Sequence, residues 1–597
     1  MTNRSIQTRA RTAALRAELK KRKLTGFIIP RQDEFQGEYV AAYAERLRWL
    51  TGFAGSWGLA ILTQKSGAIF VDGRYTIQVR TQVDVKSYNP QHLVEEPPAA
   101  WIAASLKDGD RLGFDPWLIT ADQAAIFNAA CNRAGAKLVP VATNPVDAVW
   151  NDQPPRPTAA ITTQPTQFAG RKADEKLADI VKTLGTAAAV VLTQPDSVAW
   201  LLNLRGFDVP FTPVVPAYAI VHRKGKAELF IDAKKVPEDV RAHLKSIATL
   251  RPPGKIIDSL KSLGAKKAVV QIDKGSAPDA IRAALARSGA MIVAAADPCV
   301  LPKARKNKTE QQGARAAQLR DGVAMSRFLC WLEDAGPKGG LHEMAVADRL
   351  EQFRKDTGVL MDLSFDSIAA AGPNAAIPHY HVAAETSRAL GLNEIFLIDS
   401  GGQYQDGTTD ITRTTVIGQP TDEMRDRFTR VLKGMINLSR IRFPKGTCGS
   451  QLDVLARGSL WTAGADFDHG TGHGVGSYLS VHEGPARINK SDRVALEPGM
   501  ILSNEPGFYK QGEYGIRIEN LVMVHGPSDV PGGDRPMLGF ETLTLCPIER
   551  RLIDTRLMTR DELSWLDAYH ARVLKEVGDF LVGAELEWLK KASAPLV

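Results

Sequence analysis

Three apolar runs in the C-terminal half of the chain each stop on a carboxylate. Ile395-Phe396-Leu397-Ile398 leads into Asp399, Met500 to Asn504 into Glu505, and Ile516-Arg517-Ile518 into Glu519. Such runs read as core strands, and an unpaired charge there is costly to bury. A chain that repeats this pattern must bring its strand ends to a shared polar site. In the last run, the two-residue period puts Arg517 and Glu519 on one face and Ile516 and Ile518 on the other.

Two more acids follow Asp399 across SGGQYQDGTTD, namely Asp406 and Asp410. Histidines crowd the same window, with His379, His381, His469, His473, His482 and His525 all between residues 379 and 525. Two physical accounts hold such acids together. One is a salt-bridge network with Arg413, Arg487 and Arg517. The other places two divalent cations among Asp399, Asp410, Glu505 and Glu519, where four negative charges balance two doubly charged ions and a neutral imidazole completes the set. Without cations, several of the acids must take up protons or find arginines.

Other catalytic signatures are absent. His342-Glu343 and His482-Glu483 begin like H-E-x-x-H, but Val346 and Ala486 stand where the second histidine belongs. The run HGTGHGVGS, residues 469–477, fails G-x-G-x-x-G at Val475, and its glycines read as letting the backbone carry two histidines close to a ligand.

At 597 residues the chain is too long for one domain. Pro-rich or basic stretches at Asn144–Gly170 and Asp297–Lys308 read as linkers and divide it into residues 1–155, 156–302 and 303–597. The first two segments share a pattern: Trp-Leu, then Gly-Phe, then two strands around a Lys/Gly turn ending in Asp72 and Asp232. These are β-hairpins, and helical stretches flank them, so two related α/β domains are expected. The third segment combines a helix striped with Ala324, Phe328, Trp331 and Leu332, the acid-tipped strands, and a helical stretch from Arg560 to Leu589, which makes it α/β or α+β.

The net charge of +8 is spread along the chain without a Lys/Arg block, so no nucleic-acid face is expected. No apolar run reaches the roughly 18 residues that span a bilayer. The basic N-terminus reads as a helix, Thr12 to Leu24, leading into a strand at Gly26–Pro30, in preference to a transit peptide of similar composition. Five scattered cysteines without C-x-x-C point to free thiols in a reducing, cytoplasmic setting.

With their carrier sequences DSGGQYQDGTTD, GTGHGVGS, SNEPG and IRIEN, residues Asp399, Asp410, His473, Glu505 and Glu519 resemble the five metal ligands of the pita-bread metallopeptidases. The surrounding sequence is most similar to the long, three-domain Xaa-Pro aminopeptidases of that family. The likeness includes LTGFAGSWG and DGRY in the first segment, WLLNLRGFDV in the second, and PNAAIPHYH, VHEGP and WLDAYH in the third. It implies two related α/β domains ahead of a pita-bread catalytic domain with a C-terminal helical extension.

The resemblance further implies that Asp399 grips one cation with both oxygens, that Asp410 and Glu519 bridge the pair, and that His473 and Glu505 complete the other shell. Asp406 matches no ligand position and reads as a turn residue beside Gly407. An oxygen-rich shell with one imidazole suits Mn²⁺ first, with Co²⁺ or Zn²⁺ as substitutes. Glu505 is then the proton shuttle, His379 lines the proline side, His469 lies on a substrate position, and His482 stabilises the oxyanion. Arg74 in DGRY is a substrate contact from the first domain, with a structural ion pair as the competing account. Peptides with proline second are the expected substrates, and a homodimer through the catalytic domain is the expected assembly. Prolidase shares the ligands but usually carries one N-terminal domain; methionine aminopeptidase is mostly the catalytic domain alone. Creatinase and non-catalytic pita-bread peptide binders lack the ligand set.

Overall fold

The computed structural model describes residues 3–596, which divide into two compact units. Of the described residues, one unit holds 3–164 and 171–299, the other 165–170 and 300–596.

The first unit contains two six-stranded sheets of the same design. In the first, β1 (Gly26–Pro30), β2 (Leu59–Thr63), β3 (Gly67–Val71), β4 (Asn89–His92), β5 (Arg111–Phe114) and β6 (Lys137–Pro140) lie in the order β4-β3-β2-β1-β5-β6. The second has β7 (Ala189–Leu192), β8 (Tyr218–His222), β9 (Ala227–Phe230), β10 (Ala248–Arg251), β11 (Val269–Ile272) and β12 (Met291–Ala294), in the order β10-β9-β8-β7-β11-β12. The pairing senses also match: β1 to β2 and β2 to β3 are antiparallel and the rest parallel, as are their counterparts six strands later. Both hairpins read from the sequence are present. In the second, Gly225 takes φ +93° between β8 and β9, a conformation open to glycine. Shared order and shared senses are what a duplicated unit produces.

In the second unit a helix over Lys308–Ala335 is started by a capping box. Asn307 Oδ1 accepts from the amides of Thr309 and Glu310, and Glu310 Oε2 accepts from the Asn307 amide. The Asp297–Lys308 stretch is therefore structured where a linker was expected. It carries a short helix, Val300–Ala304, and two buried lysines, Lys303 and Lys306, that close on the buried carboxylate of Glu483.

Three antiparallel strands, β13 (Ile368–Ala371), β14 (Glu394–Ser400) and β17 (Ile411–Ile417), form one sheet in the order β13-β14-β17. Both faces of β14 are covered. Phe396 and Ile398 pack with Phe328 and Leu350, whereas Ile395 packs with Phe428 and Leu566. A strand covered on both faces reads as one continuous apolar run, and alternation puts Asp399 on the face of Ile395 and Leu397. A small hairpin, β15 (Gly402–Tyr404) and β16 (Gly407–Thr408), carries the chain from β14 back to β17. Asp406 sits in its turn and pairs with Arg320.

A five-stranded sheet supplies the remaining residues: β18 (Gly472–Gly474), β19 (Glu483–Ile488), β20 (Ile501–Asn504), β23 (Asn520–Ser528) and β24 (Met537–Thr542), in the order β19-β18-β20-β23-β24. A separate pair, β21 (Gly507–Lys510) and β22 (Tyr514–Arg517), precedes β23. Of the run 516–518, Ile516 and Arg517 thus close one strand, and the residues after Glu519 open another in a different sheet. Ile518 and Glu519 form the break: the Glu519 amide donates to Thr412 O at 3.1 Å, across to β17. A hydrogen bond to another sheet replaces a ladder bond and turns the carboxylate into the gap.

Candidate metal centre

Asp399 is the penultimate residue of β14, Asp410 stands just before β17, His473 lies within β18, Glu505 directly follows β20 and Glu519 occupies the break between β22 and β23. Five separate points along the chain thus deliver five donors to one place. Three overlapping groups of side chains have ligand atoms within 4.8 Å of one another: Asp399, Asp410 and Glu519; His473, Glu505 and Glu519; and Asp410, His473 and His482. His482 therefore joins the cluster as a sixth member, its ring 4.3 Å from that of His473 and nearly perpendicular to it.

The electrostatics of this cluster are severe. Burial, then the charges of Asp399 and Glu505, push the Asp410 carboxyl well above the usual carboxylate range. Burial and the Asp410 charge do the same to Glu519, and desolvation also raises Glu505. His473 is driven down to about 4 by burial and then by His482, so it is neutral near pH 7.

Of Arg413, Arg487 and Arg517, only Arg517 is bonded to one of these carboxylates among the described contacts. Its Nη2 reaches Asp399 Oδ2 at 2.6 Å. Arg413 spends its guanidinium on Pro547 O, Thr412 O, Glu519 O, Cys546 O, Asn520 Oδ1 and the Tyr569 hydroxyl. Arg487 is exposed. A salt-bridge network through all three arginines does not form.

Two features fit a bound cation. Asp399 Oδ1 is buried without a hydrogen-bond partner, an arrangement that is costly unless something positive occupies the gap. His473 Nδ1 lies 3.0 Å from Gly474 O, which can only accept, so Nδ1 carries the proton. Its Nε2 lone pair then faces Asp410 Oδ2 and Glu505 Oε1, each at 3.5 Å. Three lone-pair carriers turned toward one another repel unless a proton or a cation lies among them. Oxygen donors with imidazole suit a hard or borderline divalent ion.

A shell of hydrogen bonds holds the donors. Thr412, opposite Asp399 in the β14–β17 register, gives its hydroxyl to Glu519 Oε2 at 2.8 Å and accepts from Arg517 Nε at 3.2 Å. Ser503 Oγ accepts from the His473 amide and donates to Glu505 Oε1. Arg517 Nη1 donates to the Tyr509 hydroxyl at 2.7 Å, and that hydroxyl lies 2.8 Å from His469 Nε2. Because His469 Nδ1 is spent on Gly470 O, Nε2 accepts from Tyr509. His469 is thereby linked to Asp399 through Tyr509 and Arg517.

Sequence reasoning missed Thr412 and Tyr509. Thr412 alternates with Arg413 along β17, a signal readable only once its partner strand is known. His379 lies half-buried in the loop after β13, outside the three donor groups. Arg74 lies in the other unit, on a short turn at Gly73–Tyr75, and is bonded to Asp72 at 2.8 Å.

Comparison with known proteins follows the same lines. The profile of metallopeptidase family M24 matches residues 312–526, and that of the C-terminal region of this peptidase family matches 536–596. Creatinase/prolidase N-terminal domain profiles match twice, over 11–149 and 152–310, in step with the repeated sheets. The chain is 39% identical to a probable Xaa-Pro aminopeptidase P of Paracoccidioides brasiliensis, and 40% identical to one of Tuber melanosporum. Each alignment covers 99% of this chain and 100% of the relative. Among solved structures, the X-prolyl aminopeptidase of Caenorhabditis elegans, a cytosolic enzyme with a di-nuclear active site, superposes with a TM-score of 0.94 at 35% identity, covering 99% of this chain and 100% of that one. A Bacillus anthracis Xaa-Pro dipeptidase shares the fold over 63% of this chain, at a TM-score of 0.52 and 23% identity, and is itself 99% covered.

Proposed function

The chain belongs to metallopeptidase family M24, and from that premise we propose that it is a metalloaminopeptidase that cuts the first peptide bond of chains whose second residue is proline. The observation that carries this reading is the cluster itself: four carboxylates and two imidazoles gathered around a single bonded arginine. Whole-length similarity to Xaa-Pro aminopeptidase P proteins and to an enzyme with a di-nuclear active site supports it.

In this reading Asp399, Asp410, His473, Glu505 and Glu519 hold two divalent cations. Mn²⁺ is the first choice, because oxygen donors far outnumber imidazole, and Co²⁺ or Zn²⁺ can substitute. Such a pair polarises a carbonyl and makes water nucleophilic near neutral pH. The protein side chains divide the remaining work. Glu505, its carboxyl raised by desolvation, accepts a proton from the attacking water and returns one to the departing proline nitrogen. His482 donates to the oxygen on which negative charge develops. His379 lines the pocket for the proline ring, and His469, held by Tyr509, faces the substrate from the other side of Arg517. Arg517 fixes the orientation of Asp399 and leaves its second oxygen free for coordination.

Residues 1–155 and 156–302 serve as the two N-terminal domains and 303–597 as the catalytic domain, assembled as a cytoplasmic homodimer. The free thiols and the cytosolic relative support that location. Among the described residues no helix is long and apolar enough to cross a membrane.

Hydrolysis of X-Pro-Y tripeptides, followed before chelation, after chelation and after Mn²⁺ is restored, tests the proposal. Activity should vanish and return. Full activity in chelated protein, or cleavage of X-Pro dipeptides but not tripeptides, would overturn it.

A further inference from the structure

A cavity of about 210 Å³ opens beside strand β17, walled by the Lys308–Ala335 helix, residues 547–551 and a C-terminal helix at Gly583–Ala592. Leu332, Val416, Ile548 and Trp588 give it an apolar body. Four cations line it against two acids, and both acids are engaged. Glu333 accepts from Trp588 Nε1 at 2.7 Å, and Glu549 is held by Arg551 and Thr415. The positive groups are less fully used. Arg550 spends its two terminal nitrogens on Lys591 O and Pro595 O, yet its Nε is buried with no partner. Lys591 extends from the exposed side of the same opening.

We propose that this cavity is a binding site for a small organic carboxylate with an apolar body, distinct from the carboxylate cluster. An apolar chamber whose lining cations outnumber its acids selects a monoanion whose remainder is hydrocarbon or aromatic. The volume falls below the roughly 300–1,000 Å³ of drug-sized pockets, so the occupant is a small molecule.

The site is wired to the metal centre. Arg413 lines the cavity and also donates to Glu519 O at 2.7 Å and to Asn520 Oδ1 at 2.9 Å, fixing the break that carries the Glu519 carboxylate. An occupant that shifts Arg413 shifts Glu519. Linkage then requires cation occupancy to alter affinity at the cavity by the same factor.

Calorimetric titration of the full chain with 4-phenylbutyrate tests this, in both the Mn²⁺-loaded and the chelated protein. Binding at one site per chain is expected in both forms, with affinities differing about fivefold or more. Butyrate, lacking the apolar body, and 4-phenylbutylamine, with the charge reversed, should not bind. Lys591→Glu combined with Arg550→Gln should weaken the carboxylate about tenfold or more. Trp588→Leu, which alters only the apolar wall and one exposed bond, should weaken it as well. Absence of binding, equal binding of the amine, or indifference to these substitutions would overturn the proposal. Binding confined to the Mn²⁺-loaded form would assign the ligand to the carboxylate cluster and overturn it too. Equal affinity in the two metal states would remove the coupling through Arg413.

Discussion

Asp399 Oδ2 accepts from Arg517 Nη2 at 2.6 Å, while Oδ1 of the same carboxylate is buried and unpartnered. One guanidinium therefore neutralises one oxygen and leaves the other unpaired, open to coordination under the proposed function. Removing a single partner from a buried ion pair typically costs about 3–5 kcal/mol. Arg517→Met should lower the melting temperature of chelated protein sharply and that of Mn²⁺-loaded protein less, because the cation replaces part of the lost charge. Calorimetric scans in both states read the difference, and an equal loss in both would refute this account of Asp399.

Asp410→Asn keeps the shape and deletes the charge. The variant should fold, bind fewer than two Mn²⁺ per chain by elemental analysis, and lose tripeptide turnover by about 100-fold or more, beyond what loss of an outer-shell partner costs. Wild-type turnover would remove Asp410 from the centre.

Thr412 both donates to Glu519 and accepts from Arg517, so Thr412→Val leaves two buried groups misdirected at once. Hydrogen-bonded supports of metal ligands are typically worth about 10–100-fold in affinity or activity. Titration of apoprotein with Mn²⁺ should show a loss in that range, while the circular dichroism stays unchanged. Unaltered affinity would make Thr412 a bystander.

Gly472 precedes His473 in β18, and a Cβ there would stand 2.0 Å from Ser503 O on the neighbouring strand. Backbone cannot yield as a flexible side chain does, so Gly472→Ala should cost about 3 kcal/mol or more and displace His473. The denaturant midpoint reads the first effect and Mn²⁺ content the second. A variant as stable as wild type would contradict the close approach of β18 to β20.

His570 is fully buried, accepts from the Ile548 amide through Nε2, and is pushed down to about 3 by burial and then by Arg413. Its folded value lies below its unfolded value near 6.5, so the unfolded chain binds the proton first. The stability it contributes is complete above pH 6.5 and is lost progressively toward pH 3, by about 3 kcal/mol at pH 4. His570→Gln keeps an acceptor for Ile548 and should flatten that part of the stability–pH curve. Parallel curves for the two proteins would sink the assignment.

Much of the centre was legible because burial writes itself into sequence. A strand covered on both faces must be apolar throughout, so Asp399 stood out at the end of its run. The repeated hairpins showed through for the same reason, since each demands a strand, a turn and a strand at short range. Arg517 was visible on the face of Glu519 through the two-residue period. Thr412 and Tyr509 were not, because a polar residue in a strand looks alike whether it meets solvent or a carboxylate across a sheet. The break at Ile518–Glu519 was hidden too: its cause is a hydrogen bond to Thr412, more than a hundred positions away in the chain.

From its residues alone, this chain determined which side chains are available and which strands carry them, because hydrophobic periodicity and donor chemistry are local properties. Only the tertiary structure decided that Asp399 shares its charge with Arg517, that His482 joins the cluster, and that Arg413 serves backbone carbonyls in place of acids. Those outcomes depend on distances between segments far apart in the chain, and electrostatic energies in a buried site are set by separations of a few ångströms.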